Sequence, residues 1–191
     1  MMNGRKPYAV FIHRSQFIIP ILRPPMSLSN DLANELTKLA GFASTVPQTV
    51  AVTDANQVAL AVDFTAIDSM SCSFRELRLS VPSLVACDVD VLRQWAHDLS
   101  SRVTYLLENL GPVEIDTNSG KVLVRSTPPD QQPDGTKYFE VLLESSTTGN
   151  FTLRRYESIK GTPGRTPVDI QTTHEVLLKL VRDLVDTVPT P

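Results

Sequence analysis

The sequence predicts an α+β domain, an antiparallel sheet of about six to seven strands with three helices in the order αβββαββββα. Three observations carry this. Apolar residues recur at three- and four-residue spacings in three separate stretches. Between those stretches they alternate with polar residues, and successive alternating runs are joined by short turns rather than by helices, which implies antiparallel pairing. A length of 191 residues with 41% apolar content suits one compact domain with a sizeable core.

The first helix is expected after the cap-type residues Ser27-Leu28-Ser29-Asn30-Asp31, with Leu32, Leu36 and Leu39 on one face and Gly41 as its stop. Beyond Pro47 the period changes. Thr49 to Thr53 and Val58 to Phe64 read as a hairpin across Asp54-Ala55-Asn56-Gln57, and Cys72 to Val81 as a third strand. Pro82 ends that strand. Asp88 or Asp90 can then cap a long central helix running to Leu110 before Gly111-Pro112, and at over twenty residues it would span about 30 Å. Its apolar stripe is Leu92, Trp95, Leu99, Val103, Leu106 and Leu110, a face suited to the core or to a dimer seam.

Val113 to Asp116 and Lys121 to Arg125 form the next hairpin, across Thr117-Asn118-Ser119-Gly120. Residues 127–135, rich in proline, read as an open loop. Tyr138 to Glu144 and Phe151 to Glu157 form another hairpin, in which the first strand is a candidate edge for a peptide. A second open loop, 161–167, leads to a short extended piece, Val168 to Gln171. The last helix opens on a capping-box pattern between Thr172 and Glu175 and carries Leu177, Leu180, Val181, Leu184 and Val188 as its stripe. Helices bracketing the strands in this way would cover one face of the sheet and leave the other open.

Residues 1–25 read differently from the rest. They hold Arg5, Lys6, Arg14 and Arg23 and no acid, which leaves 14 basic against 21 acidic residues for the domain at 26–191. The run Phe17 to Leu22 is short, is broken by Pro20 and is followed by Arg23-Pro24-Pro25, so it fits neither a secretory signal nor a membrane span of about 20 residues. The segment is therefore read as a basic leader, flexible or an upstream start; an accessory strand and a targeting segment are the alternatives. Cys72 and Cys87, fifteen residues apart, match neither a disulfide scaffold nor half of a zinc site, and a reducing, cytoplasmic setting is expected.

The familiar catalytic patterns are absent, and no catalytic residue, cofactor or metal ligand is assigned. His174-Glu175 lacks a second histidine at position 178, which is Leu178, so the zinc-protease pattern fails. Asp116 to Gly120 resembles the start of a calcium loop, but Thr127 stands where the bidentate glutamate is required. The stretch 161–165 has glycines but no following Lys-Ser or Lys-Thr pair, and neither Gly-x-Ser-x-Gly nor Gly-x-Gly-x-x-Gly occurs. His97 beside Asp98 is the least poor start for an enzyme site assembled from distant residues. One basic cluster remains: Arg154, Arg155, Lys160 and Arg165 with Tyr156 interleaved could grip an anion or stack a base. The acidic balance of the domain speaks against nucleic acid as the partner.

The element order over residues 27–188 resembles the type III secretion chaperone-like α+β fold, although no diagnostic motif accompanies it. That resemblance implies a small, acidic, usually homodimeric protein that binds extended segments of other proteins. The expectation is thus a non-enzymatic protein-interaction or chaperone-like module, whose partner is another protein or a second copy; anion binding and catalysis are the alternatives.

Overall fold

The computed structural model describes residues 27–145 and 150–190. The leader and the connection 146–149 lie outside the described residues. The architecture is α+β: three helices lie against one face of an antiparallel sheet that has ten strands among the described residues. The expected strands are all present. Three further short ones, at 130–132, 166–168 and 170–173, exceed the expected six to seven.

Helix α1 (Leu28–Lys38) starts where Ser27 accepts from the Asn30 amide, and it buries Leu28, Leu32 and Leu36. Gly41, at φ +89°, then turns the chain into β1 (Phe42–Thr53). This strand pairs with β2 (Ala59–Ile67), which pairs with β3 (Ser71–Ser80). Helix α2 (Val89–Arg102) is capped by Asp88 and buries Leu92, Trp95, Ala96 and Leu99. Strand β4 (Leu110–Asp116) pairs with β5 (Lys121–Ser126). The turn between them is the expected one, with Asp116 accepting from the amides of Asn118 and Ser119.

Strand β6 (Asp130–Gln132) lies inside the stretch expected to be an open loop, folded back on β7 (Gly135–Glu144). β7 pairs with β5 and with β8 (Asn150–Ile159). Tyr138 to Glu144 is therefore interior, and the expected peptide edge is not there. Two short strands, β9 (Thr166–Val168) and β10 (Ile170–Thr173), precede helix α3 (His174–Asp186). The cap of α3 is Thr173, which accepts from the Val176 amide, and not Thr172, which belongs to β10. The main path of the sheet is β1-β2-β3-β8-β7-β5-β4.

The long central helix is shorter than expected. It has 14 residues and ends at Arg102, so Leu106 lies in the connector and Leu110 in β4. Leu92, Trp95, Leu99, Val103 and Leu110 are all buried in the core and Leu106 is packed against it, which leaves no exposed apolar stripe on α2 for a dimer seam. The helix stops because tertiary partners on the connector outweigh local propensity. The Tyr105 hydroxyl donates to Asp183 Oδ2 (2.7 Å), and Glu108 turns inward to an arginine of β8.

Asp183 is the clamp between α2 and α3. Its buried carboxylate also receives Arg102 Nε (2.7 Å) and Lys179 Nζ (2.6 Å), with Lys179 over the Tyr105 ring. Burial raises the Asp183 pKa, but the hydrogen bonds from Lys179, Tyr105 and Arg102 outweigh it and the net shift is downward. Burial, reinforced by Asp183, raises the Tyr105 phenol. A carboxyl held below its unfolded pKa stabilises the fold fully above that unfolded value and loses the contribution as pH falls through the folded one. Asp183→Asn should therefore lower stability by about 1–3 kcal/mol at neutral pH. The deficit should shrink below the ordinary carboxylate pKa of 3.8. Urea titrations at neutral and acidic pH check both parts, and a deficit that grows with acid would contradict the clamp.

Candidate functional site

Two features of the sheet are irregular enough to be sites, a fork in its middle and one of its edges. β3 and β8 pair from Ser80↔Asn150 as far as Glu76↔Arg154 and then part. The chain from 166 to 173 fills the gap as a V. β9 follows β8 inward, with Val168 opposite Arg155, and β10 leaves along β3, with Ile170 opposite Phe74. Asp169 is the apex. It accepts from Thr65 Oγ1 (2.7 Å) and Ser73 Oγ (3.4 Å), and Arg75 Nε stands 3.5 Å away. Arg75 Nη2 also donates to the Thr45 carbonyl of β1 (3.0 Å). The register shifts of β1 and β2, between Ala43 and Gln48 and on either side of Phe64, fall around this network. Bulges concentrate where a sheet re-aims side chains for a purpose.

A cavity of about 770 Å³ opens at the V, lined among others by Arg75, Leu107, Lys137, Arg155, Val168 and Asp169. Arg155 is buried, its guanidinium over the Phe139 ring and paired with the buried Glu108. Glu108 also accepts from Ser126 Oγ (3.2 Å), which in turn accepts from the Phe139 amide (2.6 Å). A second cavity, of about 670 Å³, lies at the corner formed by Gly41, Phe42, Asp68, Ser71 and Thr173. Groups there are poor reagents. Asp68 is held ionised, at about 2, by the Met70 amide and then the Ser71 hydroxyl, while burial pushes the Cys72 thiol up to about 12. His97 is exposed, 3.5 Å from Asp98, and lines neither cavity. Among the described residues no group of three or more His, Cys, Asp or Glu is placed to hold a metal ion. No described helix is long and apolar enough to cross a membrane.

The basic stretch from Arg154 to Arg165 is not brought to one surface. Alternation along β8 sends neighbouring residues to opposite faces. Arg154 is exposed and donates from Nε to Glu76 (2.5 Å), whereas Arg155 is buried on the helix-covered side. Tyr156 lies with Tyr138 on the open face, beneath the guanidinium of Arg165 (4.0 Å to the ring centroid). Arg165 grips Glu140 with both terminal nitrogens, and Lys160 is exposed in the turn after β8. Glu76, Arg154, Glu140 and Arg125 face one another in sequence across β3, β8, β7 and β5. The open face is thus a ladder of alternating charge, with its arginines already matched to carboxylates.

The two edges of the sheet contrast sharply. β4, at one end of the path, carries Glu114 and Asp116, charges that discourage pairing with another chain. β1, at the other, has 12 residues, none of them charged, and most are exposed; its one proline, Pro47, lies in the bulge that precedes the regular stretch Gln48–Thr53. Val46, in its bulge, is 73% exposed. Among the described residues only β2 pairs with β1, so one side of its backbone is open. Neither this edge nor the fork was singled out in the sequence. The absence of charge over residues 42–53 was the available signal for the edge.

No protein-family model matches the chain, and neither a curated protein nor a solved structure is significantly similar to it. The likeness to type III secretion chaperone-like folds accordingly rests on element order alone.

Proposed function

We propose that this protein is a polypeptide-binding module that takes an extended segment of a partner protein by strand addition at β1. The observation that carries the reading is the asymmetry of the sheet edges, one blunted by carboxylates, the other uncharged and open over the regular stretch beyond Pro47. Strand addition draws affinity from the free backbone groups of the edge and specificity from side chains at alternate positions. Gln48 to Thr53 supply a regular stretch for this, with the β-branched Thr49, Val50, Val52 and Thr53 favouring extended backbone. Val46 and Met70, 73% and 75% exposed, add apolar surface at the β1 bulge and at the β2–β3 turn. Segment binding is also what the resemblance to chaperone-like folds implies.

The test is to select peptides from a random display library on the purified protein and to map the bound site by amide hydrogen exchange. Bound peptide is expected to slow exchange over residues 48–53. Lysines placed on the edge by Ala51→Lys and Thr53→Lys should weaken binding by about tenfold or more, while Glu114→Lys on the opposite edge should not. Protection at β4 alone, or binding untouched by the two lysines, would sink the reading. Light scattering after size exclusion identifies a second copy as the partner if a dimer forms and the same lysines dissolve it.

A further inference from the structure

We infer that the cavity in the fork between β3 and β8 binds a small anionic ligand through its carboxylate or phosphate oxygens. The inference is independent of the β1 edge. Its starting point is Arg155, a buried guanidinium whose Nε has no hydrogen-bond partner among the described residues. A buried N–H on a cation is the most costly kind of donor to leave unmet, and native structures satisfy such groups with water, an ion or a ligand. The one close carboxylate, Glu108, occupies Nη2 of the same side chain, and Asp130 stands 3.7 Å from that nitrogen.

The other cations of the cavity keep donors without a close carboxylate, although Arg75 Nη2 is held by the Thr45 carbonyl (3.0 Å). Arg75 Nε is 3.5 Å from Asp169, and Lys137 Nζ is 3.5 Å from Glu157, both beyond a good charge-assisted hydrogen bond. Asp169 is the one carboxylate in the lining, and its Oδ2 is already taken by Thr65 and Ser73. Three cations with open donor capacity thus converge on a cavity of about 770 Å³, a volume within the range of small-ligand sites. Leu107, 76% exposed at its border, and Val168 supply apolar contact for the organic part of a ligand. Guanidinium geometry suits carboxylate and phosphate alike, so the oxygens rather than the carbon skeleton are assigned.

The experiment titrates succinate, citrate and inorganic phosphate, each to about 10 mM against chloride at matched ionic strength, into the full chain. Arginine Nε resonances and thermal denaturation are followed together. At least one anion should shift the Arg155 Nε resonance saturably and raise Tm. A response to succinate or citrate marks a carboxylate ligand, and one to phosphate marks a phosphoryl ligand. The double variant Arg75→Gln, Lys137→Gln, which leaves the buried Arg155–Glu108 pair intact, should weaken binding by about tenfold or more. Arg154→Gln, on the opposite face, should leave it unchanged. Absence of a saturable response to any of the three, retention of binding by the double variant, or its loss in Arg154→Gln would overturn the assignment.

Discussion

Replacing Glu108 with alanine is expected to destabilise the protein by about 3–5 kcal/mol, because it strands a buried cation. The side chains of Glu108 and Arg155 are 4% and 10% exposed. With the carboxylate gone, the guanidinium would keep neither its close partner nor any acceptor at Nε, and Ser126 would lose the acceptor for its hydroxyl. The geometry also holds the 103–109 connector down, so the variant should loosen the segment bordering the fork. Removing both charges has a different consequence. Paired apolar replacement of a buried ion pair is often nearly neutral, so Glu108→Leu combined with Arg155→Met should recover most of the loss. Urea denaturation of the single and double variants measures this, and a single-variant cost below about 1 kcal/mol would mean that the pair is wetter than the structure indicates.

Trp95→Ala should cost a similar amount, about 3–5 kcal/mol, for a different reason. The indole is fully buried on α2, its ring 6.0 Å from that of Phe151 and its Nε1 donating to Thr187 Oγ1 (3.2 Å) beyond α3. Truncation would open a cavity where helix α2, strand β8 and the end of α3 meet. The measurement separates a core from a dimer seam. Unfolding midpoints of wild type and variant should differ by the same amount at low and high protein concentration, whereas an interface residue would make the difference depend on concentration.

Much of the framework was legible because it is encoded locally. The cap-type run that holds Ser27, the choice of Asp88 or Asp90 that includes the actual cap Asp88, the turn at Asp116 and the stripe Leu177, Leu180, Val181 and Leu184 all depend on neighbours within a few residues. The excess length given to α2 has the opposite origin. Val103, Leu106 and Leu110 continue the helical spacing, but Tyr105 and Glu108 find partners on α3 and β8 that a continued helix would forgo. Strands of three residues, such as β6 and β9, carry too little alternation to be seen. The division of Arg154 from Arg155 was available in principle, since a strand places neighbours on opposite faces, and treating the stretch as one patch overlooked it. The fork was not. Its parts, Thr65, Arg75, Lys137, Arg155 and Asp169, are scattered over a hundred residues and share no spacing.

The fork also sets an order of events during synthesis. β3 is complete at Ser80, yet its neighbours on that side, β8 and β10, emerge from the ribosome 70 or more residues later. Until then the meander of β1, β2 and β3 presents a second bare edge, with Leu77 and Leu79 beside it. Pairings of such long range close slowly, and the open interval exposes the nascent chain to mispairing. Arg75, Glu76 and Arg78, the charges on that temporary edge, would act during this interval as guards against nascent neighbours. Arg75 and Glu76 are drawn into ion pairs with Asp169 and Arg154 once the sheet closes, whereas Arg78 pairs within the meander, with Asp63.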